Sequence, residues 1–306
     1  MTPLHLAVQN ESLSVIGCLL LNGAYINSKN KTGETPLHIS CCKDNIYIVE
    51  YLVNHGADIH MKNNAGYVAL HVLCQFGYVN ILSFLVNNGA DLQARDNYSN
   101  TSLHLSSGNG QINVVECLIS HGSDIDMKNQ EGNTPLHLSS GNGQINVVEC
   151  LISHGSDIDV KNNNGNTPLH YSVTKGHINV VECLISRGAA IDEKNRNGNT
   201  PLHYSAANGH ISVVEYLISH GADINAENLK RYTPLHYSAS NGHINVVEYL
   251  ICHGAKIKAM NYTDKTPIYY SSSKTVLKYL EKKGARVRLH TQISKKELEI
   301  SIDPKQ

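Results

Sequence analysis

Apolar residues recur along this chain in pairs of short helical patterns separated by polar turns. Between residues 134 and 155, Leu136 opens one short helix. Ile145, Val147, Val148, Leu151 and Ile152 form the apolar stripe of a second. Thr134 stands where an N-cap hydroxyl would accept an orphan backbone N–H. Pro135 follows at the first helical position, where its missing N–H costs nothing. Gly143 ends the first helix and Gly155 the second, each suited to a left-handed C-terminal residue. Ser156 to Asn166, rich in Asp, Asn and Gly, reads as a reversed turn. Neither helix is long enough to hold in water alone. Each unit must therefore bury its stripe against another copy of itself.

Such copies run through most of the chain. Thr-Pro-Leu-His begins at Thr2, Thr35, Thr134, Thr167, Thr200 and Thr233, and altered forms fall in phase at Val68, Thr101 and Thr266, making nine starts at a step of 33 residues. Repeats stack on their neighbours, so the 306 residues are not divided as an ordinary chain of that length would be. The expectation is one elongated all-α domain over 1–285 and a polar tail over 286–306. Residues 103–129 and 136–162 differ only at Met127 against Val160, the mark of a recent duplication. The motif, the period and the in-phase Gly209-His210 and Gly221-Ala222-Asp223 steps resemble the ankyrin repeat, whose signature is T-P-L-H-x-A. That resemblance covers 1 to about 285. It implies antiparallel helix pairs joined by β-turn fingers and stacked into a curved solenoid. It further implies partner binding on a concave face by finger tips and first helices, and a motif histidine that bonds backbone and ties neighbouring turns.

Composition narrows the function. The formal net charge is −1, without the dense basic face that captures nucleic acid or anionic lipid. Apolar runs are too short to span a bilayer. Met1 to His5 lack the basic start and apolar stretch of a secretory signal. A cytoplasmic or nuclear chain is expected. Four of the eight cysteines, Cys18, Cys117, Cys150 and Cys183, hold one site in four units. Packed helix layers lie roughly 10 Å apart, beyond the ~7 Å reach of a disulfide, so these four read as small buried hydrophobes. Cys41, Cys42 and Cys74 make no C-x-x-C pair. Eight of the 18 histidines, from His5 to His236, end the motif, and His177, His210 and His243 follow the inter-helix Gly. Such ladders do not converge on a point as a metal or acid–base site must. Glu116, Glu149, Glu182, Glu215 and Glu248 recur as a solvated face. No Ser–His–Asp set and no phosphate loop can be argued. No enzyme activity, cofactor or metal is expected.

Specificity is sought where the repeat fails. Tyr67 and Phe76 flank the altered motif at Val68, and Phe76 stands where other units carry Asn or Lys. Tyr98 falls on the next finger. The resemblance places these sites on the binding face, where aromatic anchors supply much of the energy; local repacking is the competing reading. A second cluster comprises Lys175, Arg196, Lys230, Arg231 and Tyr232, with Arg231 replacing a turn Gly. It suits an acidic peptide, or it is a solvated face interleaved with Glu193 and Glu227. The expected function is a monomeric, non-catalytic scaffold for protein partners. The alternatives are the targeting arm of a larger enzyme, channel or signalling protein, and a pathogen effector. The last unit, Thr266 to Gly284, is three residues shorter than Thr233 to Gly254, and its second helix is charged, as a cap should be. Leu298, Ile300 and Ile302 alternate in the tail. The first unit has no finger before Thr2, and this predicts a fraying edge or a longer protein.

Overall fold

The computed structural model describes residues 1–285, so the tail and its alternating Leu298, Ile300 and Ile302 lie outside the described residues. Every regular element there is helical, eighteen in all, and no strand forms among the described residues. The helices come in pairs at the expected step, such as Pro201–Asn208 with Ile211–Ser219 and Pro234–Asn241 with Ile244–Cys252. By their contacts the residues group into two bodies, one of 1–139 with 146–156 and one of 140–145 with the chain from 157 onward. Within each body, first helices pack on first helices of neighbouring units and second helices on second helices.

The core is built from the second-helix stripe. Ile48, Val49 and Leu52, then Ile81, Leu82 and Leu85, then Val114, Val115 and Leu118 are all buried in the first body. Val213, Val214 and Leu217 repeat the pattern in the second. Positions i, i+1 and i+4 share one helix face, and each such side chain contributes about 2 kcal/mol on burial. The first unit departs from this. Val15, in register with Ile48, Ile81 and Val114, is 47% exposed while those three are at most 1% exposed. No helix pair covers its outer side within the described residues.

At Gly176 the turn between paired helices needs glycine for two reasons. Gly176 has φ +75°, and a Cβ there would lie 2.6 Å from Nδ1 of His210 in the following unit. That ring sits over the glycine and hydrogen-bonds through Nε2 to the Thr174 carbonyl at 3.1 Å. His243 does the same to the Ala207 carbonyl at 2.9 Å. The histidines after the inter-helix Gly are thus ties to the preceding unit.

Candidate functional site

Each finger is organised by one side chain, half-buried at Asn30, Asn63 and Asn129 and buried at Asp96, Asn162, Asn195, Asn228 and Asn261. Asn195 Oδ1 accepts the backbone N–H groups of Asn197 and Asn199, both at 3.0 Å. Its Nδ2 donates to Asn166 Oδ1 and to the Tyr204 hydroxyl, both at 2.8 Å. Asn228 repeats this with Lys230, Tyr232, Asn199 and Tyr237. All four hydrogen-bonding valences of the amide are met, so its burial is affordable and its geometry single-valued. The same slot in the first body holds Asn63 and then Asp96, a buried carboxylate that accepts from the N–H groups of Tyr98 and Asn100. The ladder at Asn30, Asn63, Asp96, Asn129, Asn162, Asn195, Asn228 and Asn261 was present in the sequence at the repeat step. Its partners, nine residues away or one unit away, were not visible there. Successive tips are also joined by backbone: Asn97 N–H donates to the Ala65 carbonyl at 3.1 Å, and Leu229 N–H to the Asn197 carbonyl at 3.1 Å.

The motif histidines brace the same fingers from below. Thr200 caps its helix with extended backbone, yet its hydroxyl lies 2.8 Å from His203 Nδ1 instead of accepting the orphan N–H expected from the sequence. The Thr200 N–H donates to that same Nδ1 at 3.1 Å. A nitrogen that accepts there leaves the proton on Nε2, which donates to the Tyr232 carbonyl at 3.0 Å. Burial pushes the rings of His104, His170, His203 and His236 down to about 4. They are neutral structural struts at physiological pH. In register, the ring reaches the carbonyl 29 residues on; His71 donates to the Ala94 carbonyl, 23 residues on, at 3.0 Å and also meets the Asn100 backbone, 29 residues on, just as His104 meets both Asn133 and Met127.

The first candidate cluster does not form a single aromatic group. Tyr67 is half-buried with its ring 5.5 Å from that of His71. Burial raises its hydroxyl above the ordinary tyrosine value, with Asp96 adding to the effect. Phe76 is 43% exposed and stacks on Tyr78 at 5.6 Å between ring centroids. Tyr98 is 68% exposed at the next tip. Among the described residues no ring contact joins the three to one another. Phe76 and Tyr98 are accessible; Tyr67 offers only part of its surface.

In the second cluster Lys175, Arg196, Lys230 and Arg231 are exposed. Arg231 takes φ +59° in place of the turn Gly and pairs with Glu227 at 3.1 Å. Tyr232 requires a correction: it is 1% exposed and belongs to the core with Ala207, Tyr237 and Tyr270. Its hydroxyl is 3.1 Å from that of Tyr270. It follows the tip but points into the stack, so it is no surface contact. The cysteine expectation is also revised. Cys150 and Cys183 are buried, Cys117 is half-buried and Cys18 is exposed, because coverage depends on the neighbouring unit. Sequence reasoning missed Leu229 and Tyr262, which are 75% and 57% exposed. Their signal was present: the finger position they share is polar in the other units.

Among the described residues no three His, Cys, Asp or Glu side chains gather as a metal site would need, and no helix is long and apolar enough to cross a membrane. The architecture is an all-α repeat solenoid displaying braced turn fingers. Family models described as ankyrin repeats match residues 4–96, 93–162, 142–228 and 209–251. The chain belongs to the ankyrin-repeat family. Repeats of this kind are generally non-catalytic modules of protein–protein interaction. No curated protein matches the sequence.

Proposed function

We propose that this chain is a non-catalytic scaffold that holds partner proteins on the face made by its finger tips and first-helix ends. One observation carries the reading: Phe76, at the end of the first helix whose Thr-Pro motif is lost, and Tyr98, on the next finger, are exposed aromatics. Large apolar side chains on an otherwise polar, rigid surface favour binding because they bury area at small ordering cost. The partner is a protein; the near-neutral charge disfavours nucleic acid. The test is affinity capture with the full chain against the Phe76→Asn/Tyr98→Asn double variant, with circular dichroism showing equal helix content. Proteins retained by the native chain should be lost by the variant. Equal capture by both would overturn the assignment.

A further inference from the structure

The tips of the last three fingers carry a graded strip that no other fingers share. The tip position, whose N–H bonds to the preceding tip at Asn64, Asn97, Gln130, Arg196, Leu229 and Tyr262, holds Lys31, Asn64, Asn97, Gln130, Asn163 and Arg196 in turn, then Leu229 and Tyr262. At Arg196, Leu229 and Tyr262 those N–H groups donate to the carbonyls of Asn164, Asn197 and Lys230 at 3.0, 3.1 and 3.2 Å. The backbone beneath the strip is therefore pinned, and Asn228 and Asn261 hold it from inside. On this fixed base two neighbouring tips present a leucine and a tyrosine to solvent. These are large apolar side chains at a position that is polar in every other unit.

We propose that this strip anchors an extended segment of a partner protein carrying one acidic and two apolar residues at three-residue steps. The inference rests on the protein-binding reading above and gives it a chemistry in the second body. Successive units are spaced by packed helices, roughly 10 Å apart. Three residues of chain in the polyproline II conformation span about 9 Å and bring every third side chain back to one face. A segment lying across the tips would set every third side chain over Arg196, Leu229 and Tyr262. At the first end the charge is one-sided. Arg196 and Lys230 are exposed and form no ion pair among the described residues, whereas Arg231 is matched by Glu227. At the other end Met260 and Thr263 flank Tyr262 and line a groove of about 540 Å³ with Ile257 and Tyr269. There Asp264 is offset by Lys258 and Lys265, so the groove adds room for an apolar side chain without adding a net charge of opposite sign to the strip.

The test is a random twelve-residue peptide library displayed on phage and panned over the full chain. The expected winners share an acidic residue and two apolar residues at three-residue steps. Fluorescence anisotropy of the synthetic winner should show at least tenfold weaker binding to Leu229→Ser and to Tyr262→Ser, both exposed positions whose change leaves circular dichroism intact. Arg196→Glu should reverse the preference, favouring the peptide with lysine in place of its acid. Enrichment of no such spacing, binding by either serine variant equal to that of the native chain, or an unchanged charge preference in Arg196→Glu would each overturn the strip. Those failures would leave capture through Phe76 and Tyr98 untouched. Conversely, a protein captured equally by the Phe76→Asn/Tyr98→Asn chain overturns that location and not this one.

Discussion

Mild acid should unfold the second body through its histidine struts. His170, His203 and His236 are neutral in the folded state, their rings pushed from 6.5 down to about 4 chiefly by burial. In the unfolded chain they recover the ordinary value. Above pH 6.5 both states are neutral and the full stability is present. As pH falls through 6.5 the unfolded state takes up protons that the folded state refuses, so stability declines until the folded rings titrate near 4. At pH 5 each ring accounts for a loss of about 2 kcal/mol, and three together about 6 kcal/mol, as large as the whole stability of many domains. Among neighbouring carboxylates, burial raises Asp159 and Asp192, which opposes the histidine effect as pH falls, while a hydrogen bond to Lys161 chiefly lowers Glu193, which adds to it. Urea unfolding followed by circular dichroism at pH 7.5, 6.5, 5.5 and 5 measures the effect. His203→Gln supplies the control: it should cost about 1–3 kcal/mol at pH 7.5 by orphaning the Tyr232 carbonyl, while shallowing the pH dependence by one proton. A flat midpoint between pH 7 and 5, or an unchanged slope in His203→Gln, would refute the reasoning.

Five further substitutions test the framework by thermal or urea denaturation. Gly198→Ala should destabilise by about 1–3 kcal/mol, since φ is +76° and the new Cβ would lie 2.7 Å from the Leu229 nitrogen; Gly221→Ala, at φ +94° but with open space, should cost about 1 kcal/mol. Asn228→Ala should cost about 2–3 kcal/mol, because it strands the Lys230 and Tyr232 N–H groups and removes the amide donor to Asn199 and Tyr237, which keep their bond to each other. Val15→Ser should change stability by under about 0.5 kcal/mol, while Val147→Ser, at a buried copy of the same position, should cost about 2 kcal/mol.

What the sequence determined alone is whatever depends on a residue and its near neighbours. Helix pairs, their caps, the glycines of positive φ and the period follow from local sterics and local hydrogen bonds, and all are repeated often enough to be read above noise. The candidate site was legible only in part, since a break in the pattern marks a place but not a direction. Phe76 and Tyr98 stand exposed where the repeat fails, yet Tyr232, chosen on the same grounds, is core. Three residues before it, Leu229 is bare to solvent. Likewise one cysteine position runs from exposed at Cys18 to buried at Cys150, and one valine position from exposed at Val15 to buried at Val147. The tertiary structure decided these matters because burial in a stack comes from the adjoining unit, about 33 residues away, and not from the segment itself. The same holds for Asn195 and Asn228, ordinary turn residues by sequence, which become hubs only when the next finger and a distant tyrosine hydroxyl close around them.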